Sequence, residues 1–152
     1  MLEERVNRRD FLKKSAGGAV AAALSARSFS NALGANEKIG VGFIGCGGRG
    51  RAHISYVQKL KQAGDGVEIV AVSDLYRPRL DSAARSTSTK AYSDHRELLA
   101  DANVDAVCIA TPDRLHGFQV IDAVRAGKDV YCEKPITHWQ QFELTKRMSR
   151  EV

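Results

Sequence analysis

The sequence predicts a doubly wound α/β domain with a mostly parallel sheet over residues 36–152. Three observations carry this. Short apolar runs without polar alternation recur along the chain, stretches with helical spacing separate them, and a glycine-rich hexapeptide directly follows the first run. Strands buried on both faces lose the in–out alternation, and parallel neighbours need a crossover long enough for a helix. With 152 residues, 43% hydrophobic, 27% charged and only three prolines, the composition fits one globular domain. It excludes a collagen-like repeat, a disulfide-dense mini-protein and a mostly disordered chain.

The strands are read in order. Ile39–Ile44 is the first buried strand and Glu68–Ser73 the second, with Asp105–Ala110 and Asp129–Cys132 as two more and Lys90–Tyr92 as a short addition. Helical spacing covers Arg51–Ala63, Pro78–Ser86, Asp94–Ala100 and Leu115–Ala126. Asp94 followed by Glu97 has the spacing of a capping box. Gly127 stands where a helix ends on a left-handed residue. Thr137 is a candidate cap for a last helix, against which Trp139 and Phe142 are expected to pack, at helical spacing with Lys146. Cys46, Cys108 and Cys132 are an odd count without Cys-x-x-Cys spacing, so they read as thiols rather than a disulfide framework or metal site. His53 and His138 read as structural and His95 as exposed. No histidine pair has ligand spacing with a carboxylate, and no metal is expected.

Residues 1–35 hold six of the 23 basic groups and three of the 18 acidic ones, a net of +3 out of +5. The basic bias belongs largely to this segment, so no nucleic-acid surface is expected. Asn7-Arg8-Arg9-Asp10-Phe11-Leu12-Lys13-Lys14 precedes the small apolar run Ala16–Leu24. That run falls far short of the roughly 20 residues of a spanning helix, so no stable membrane insertion is expected. A charged start, a modest apolar run and small residues form an export-signal pattern. The paired arginines resemble a twin-arginine signal over residues 1–35, with Asn7 where Ser or Thr is usual. Periplasmic or other extracytoplasmic export of the folded protein is the expectation.

Gly45-Cys46-Gly47-Gly48-Arg49-Gly50 matches G-x-G-x-x-G between a predicted strand and a predicted helix, the setting its mechanism requires. Gly45 permits the turn, Gly47 lets a pyrophosphate approach the backbone, and Gly50 allows close helix–strand packing. Gly48 and Arg49 are further cofactor contacts within the loop, beside the positive end of the helix that follows. Asp74, 24 residues after Gly50, ends the second strand where an acid accepts hydrogen bonds from the ribose. A carboxylate there favours NAD over NADP. Arg77 and Arg79 follow closely and keep NADP open, and Arg77 is a cofactor-binding candidate.

Ala91-Tyr-Ser-Asp94 leads into His95-Arg-Glu-Leu-Leu99. Then come Val104-Asp-Ala-Val-Cys-Ile-Ala-Thr-Pro112, His116 and Ala126-Gly-Lys-Asp-Val-Tyr-Cys-Glu-Lys-Pro135. This succession resembles the Gfo/Idh/MocA family of oxidoreductases from about Lys38 to Val152. The resemblance implies a Rossmann domain binding NAD(P) and hydride transfer between nicotinamide and a sugar or polyol hydroxyl. It implies that Thr111 and Pro112 line the cofactor and that His116 lies near the nicotinamide end. Glu133, Lys134 and Pro135 match Glu-Lys-Pro, whose lysine faces nicotinamide and substrate, with Pro135 aiming Lys134 through a cis bond. Lys134 and His116 are thus the catalytic candidates, and both join Glu133 among the cofactor-binding ones. The family pattern also places a last strand and a substrate domain after the helix that holds Val152, and a homo-oligomeric full-length form. Two alternatives remain open at this point, an NAD-dependent glycoside hydrolase and a non-catalytic dinucleotide-binding fragment.

Overall fold

Five parallel strands in the order β3-β2-β1-β4-β5 form the centre of the computed structural model, which describes residues 38–152. The leader lies outside the described residues. The strands are β1 (Ile39–Ile44), β2 (Val67–Ser73), β3 (Lys90–Tyr92), β4 (Ala106–Ile109) and β5 (Asp129–Cys132), and every neighbouring pair is parallel. Five helices connect and follow them: α1 (Gly48–Ala63), α2 (Arg77–Thr87), α3 (His95–Leu99), α4 (Asp113–Arg125) and α5 (Phe142–Glu151). Among the described residues no helix is long and apolar enough to cross a membrane.

The sheet splits the core in two. On one face Phe43, Ile69, Val72 and Cys108 meet Ile54 of α1 and Leu80 and Ala83 of α2. On the other, Ile44, Ala71, Val107 and Ile109 meet Leu98 and Leu99 of α3, Val120 and Ile121 of α4, and Leu144 and Met148 of α5. Both faces of β1 and β4 are therefore covered by apolar groups, the physical reason their sequences show no alternation. The three cysteines are free. Burial pushes the Cys46 and Cys108 thiols up to about 12, helped by Asp74 and Glu133 respectively, and Cys132 up to about 11. Such thiols stay protonated and unreactive at neutral pH.

Several local expectations hold. The Asp94 carboxylate caps α3 by accepting the Arg96 N–H at 2.8 Å. Gly127, at φ 70°, closes α4 with a paired motif, its N–H donating to Val124 O (2.9 Å) and that of Lys128 to Ala123 O (3.0 Å). Others are corrected. Helix α1 starts at Gly48 rather than Arg51, because glycine's poor helix propensity hides a first turn that the loop nevertheless adopts. Helix α4 starts at Asp113, two residues early, on an extended Pro112. Thr137 does not cap α5. That helix begins at Phe142 after Gln141, and the Thr137 hydroxyl meets that of Thr145 at 2.9 Å. Trp139 and Phe142 do not pack the core, being 82% and 66% exposed. Phe142 instead receives the Lys146 ammonium 4.5 Å from its ring centroid. His95 is not exposed, since its Nε2 bonds the Asp122 carboxylate at 3.0 Å.

Candidate functional site

The order β3-β2-β1-β4-β5 reverses between β1 and β4, so the loops leaving their carboxyl ends part and open a crevice, the usual ligand position in an open α/β sheet. The crevice here is a cleft of about 460 Å³ lined by Gly45, Gly47, Asp74, Arg79, Thr111, Pro112 and Gln119, among others.

The glycines divide into two kinds. Gly45 sits at φ 95°, and a Cβ there would stand 2.8 Å from the Ala110 carbonyl. A Cβ on Gly50 would overlap the Gly45 carbonyl oxygen. The fold itself demands these two. A Cβ on Gly47 would meet only the Arg79 guanidinium, at 3.7 Å, and one on Gly48 would meet nothing within 4 Å. Among the described residues only the Arg79 guanidinium comes within 4 Å of a Cβ on Gly47 and nothing does on Gly48, and both lie at the start of α1 with no acidic residue in its first turn. Free N–H groups, a positive helix end and open space are what a diphosphate needs, so the cradle fits a dinucleotide.

Asp74, the residue after β2, does more than mark the strand's end. Its carboxylate accepts the Cys46 N–H at 2.7 Å and the Tyr76 N–H at 2.8 Å, bracing the glycine loop against β2. The two arginines that follow separate. Arg77 turns outward, pairs with Asp81 at 2.9 Å and does not line the cleft, which corrects its candidacy. Arg79 lines the cleft, with its guanidinium 5.4 Å from the Tyr76 ring centroid. Sequence spacing did not separate them, because only the phase of α2 relative to β2 decides which one faces in.

A second cavity of about 450 Å³ abuts the cleft along Ala110 and Thr111 and is lined also by Arg49, Asp113, His116, Glu133 and Lys134. Lys134 is exposed on it, and its peptide bond to Pro135 is cis, as the motif led us to expect. The Thr111 hydroxyl donates to Gln119 Oε1 at 2.6 Å, fixing the wall between the cavities. His116 is corrected as a catalytic candidate. It is 2% exposed, with Nδ1 2.8 Å from the Pro135 carbonyl oxygen and Nε2 2.8 Å from that of Thr111. Both ring nitrogens face main-chain carbonyls, the ring N–H donating to one of them, so His116 is a strut between the loop after β4 and the loop after β5.

Glu133 lines the second cavity and has a further role. Its Oε1 accepts Arg49 Nε and His53 Nε2, each at 2.6 Å, so the carboxylate is bonded to α1. His53, read as structural from sequence, belongs to the site's frame, and nothing local in the sequence signals its partner 80 residues away. The His53 and Arg49 hydrogen bonds hold the Glu133 carboxyl down at about 2, against an ordinary 4.5. A carboxyl depressed in the folded chain stabilises fully above its ordinary value, and that stability is lost as pH falls through 4.5 towards about 2. The difference in melting temperature between the wild type and Glu133→Gln should therefore be largest at neutral pH and shrink across that acid window. A difference that stays constant through the window would contradict the pairing. Among the described residues no group of three or more His, Cys, Asp or Glu is placed to hold a metal ion.

Comparison with known proteins supplies the family. Residues 39–152 match the Gfo/Idh/MocA family, described as an oxidoreductase family with an NAD-binding Rossmann fold. The chain belongs to this family. An inositol 2-dehydrogenase of Saccharopolyspora erythraea is 40% identical over 97 residues, covering 63% of this chain and 28% of that protein. A crystal structure of the WlbA dehydrogenase from Bordetella pertussis, in complex with NADH and UDP-GlcNAcA, superposes with a TM-score of 0.67 at 35% identity, over 76% of this chain and 34% of that one. Myo-inositol dehydrogenase from Lactobacillus casei, in complex with NAD(H) and myo-inositol, gives 0.65 at 32% identity, over 75% and 33%. The chain spans 28–30% of the length of the curated oxidoreductases it matches. What it carries is the family's NAD-binding domain, and the cleft at the β1–β4 divide lies where such a fold takes its dinucleotide.

Proposed function

We propose that this chain is the cofactor domain of an NAD-dependent dehydrogenase that oxidises a hydroxyl of a polyol or sugar. The observation that carries the reading is the contact of two cavities along Ala110–Thr111, one fronted by the open glycine cradle and the other by Lys134. The bound nicotinamide dinucleotide supplies the hydride acceptor. The N–H groups from Gly47 to Gly50 hold the diphosphate, and Asp74 accepts from the adenosine ribose with the lone pairs left by its two backbone bonds. Lys134 Nζ binds the substrate hydroxyl and orients it, or takes its proton, as the hydride leaves the same carbon. The relatives named above act on or bind inositols and a nucleotide-linked sugar acid, which supports the substrate class.

The test is NADH titration of the whole protein that carries this domain, followed by incubation with NAD and myo-inositol or a related polyol. Saturable NADH binding and formation of NADH are expected. Binding without NADH formation from any polyol or sugar would overturn the dehydrogenase and leave the binding domain. Within the cleft, Arg79→Ala should weaken NADH binding by roughly 1 kcal/mol, the scale of a charge-assisted contact, and Arg77→Ala by no more than a few tenths. Equal effects would mean that the arginines act only through net charge.

We further propose export by the twin-arginine route, on the strength of Arg8-Arg9 followed by Phe11-Leu12-Lys13-Lys14 and the Ala16–Leu24 run. A reporter fused after residue 35 should leave the cytoplasm, and replacing both Arg8 and Arg9 by lysine should stop it. Export that survives the double replacement would reject this route.

A further inference from the structure

Glu133 immediately precedes Lys134, and its carboxylate is buried against α1, where one oxygen receives both Arg49 Nε and His53 Nε2 at 2.6 Å. Arg49 and His53 are four residues apart, hence on one face of the first turns of α1. Arg49 is the second residue of that helix, directly behind the open N–H groups of the glycine cradle. The other carboxylate oxygen stands 3.3 Å from the Lys134 N–H. Main-chain bonding ties this strand end only sideways, through Glu133 N–H to Ile109 O at 2.9 Å. The side chain of Glu133 is what fastens it to α1. Tyr131, two residues earlier on β5, adds an edge-on contact to the His53 ring, with centroids 5.3 Å apart. A buried carboxylate is costly unless it is paired, and here both partners come from the dinucleotide-facing helix.

We propose that Glu133 is a positioning residue that sets Lys134 against the dinucleotide, by fastening the end of β5 through Arg49 and His53 to the helix whose N-terminus receives the diphosphate. This rests on the reading of the cleft as the dinucleotide site. It assigns to the first residue of Glu-Lys-Pro the work of keeping the other two in register with the glycine loop. Binding at the α1 N-terminus is then felt at the Lys134 ammonium, although no side-chain bond joins Lys134 to the glycine loop.

The test follows Lys134 by NMR in chain whose lysines carry carbon-13 methyl groups, with Lys134→Arg identifying the signal and NADH as the probe. In the wild type, NADH should shift the Lys134 signal. In Glu133→Gln, NADH should still bind, with a Kd raised less than about tenfold, while the larger part of the Lys134 shift disappears. His53→Leu removes the other Glu133 partner on α1, away from the glycine loop; it keeps the test valid should Glu133→Gln fail to fold, and should also lose part of the shift. The double variant His53→Leu with Glu133→Gln should lose no more of the shift than Glu133→Gln alone, because both cut one tie. A Lys134 shift of wild-type size in a folded, NADH-binding Glu133→Gln or His53→Leu protein overturns the inference and leaves the binding reading standing. A wild-type chain that binds no NADH overturns both.

Discussion

Replacing Gly50 by alanine is expected to cost about 3 kcal/mol or more of stability and to abolish NADH binding, because the new methyl group meets main chain that has nowhere to go. Its Cβ would overlap the Gly45 carbonyl oxygen and stand 2.9 Å from the carbonyl carbon. Gly45 is pinned from the other side by its N–H bond to Ser73 O at 2.8 Å, and its own φ of 95° suits no other residue. The clash is relieved only by moving α1 off the sheet, which breaks the packing of Ile54 against Phe43 and Val72 and reshapes the cradle. Gly48→Ala is the control, with open space around the added methyl group. Its unfolding midpoint in urea should stay within the scatter of ordinary surface substitutions, while its affinity for NADH falls. A Gly50→Ala protein with the wild-type midpoint would mean that the helix and glycine loop are not in the contact described.

Lys134→Met is expected to lower turnover by roughly 10²- to 10⁴-fold, the usual weight of a positioned acid–base group, with NADH affinity nearly unchanged. Methionine keeps the length and apolar stem of the side chain and removes the ammonium alone. Lys134 is exposed on the second cavity and belongs to neither core cluster of the sheet, so folding should not suffer. The measurement is kcat and KM of the whole protein that carries this domain, with a polyol substrate, beside a direct NADH titration. Turnover that survives the replacement would remove Lys134 from the chemistry. Lost NADH binding with intact folding would reassign it to the cofactor.

Most of the fold is legible locally. Continuous apolar strands, a helix cap at Asp94 and a left-handed stop at Gly127 are set by side chains within a few residues of where they act. Helix starts are less so, as at α4 and α5, and the start of α1 is hidden because Gly48 and Gly50 resist the helix that packing against β1 imposes. The site is legible in a different measure. Its glycine loop and the Lys134–Pro135 turn declare themselves as motifs, whereas their frame is long-range. Glu133 finds Arg49 and His53 across 84 and 80 residues, and Asp74 finds the Cys46 N–H across 28.

By itself, then, the sequence determined a parallel α/β sheet, the loop that must be glycine, and a lysine at the end of β5. The first two follow from the burial period and backbone sterics of single segments, and the lysine from its resemblance to the family's Glu-Lys-Pro motif. Tertiary structure alone decided that His116 is a strut, that Arg79 rather than Arg77 faces the cleft, and that Glu133 is a clasp. The physical reason is that a side chain's partner depends on strand order and helix phase. Those are fixed only when β4 and β5 pair beside β1 and close the distance that the chain leaves open.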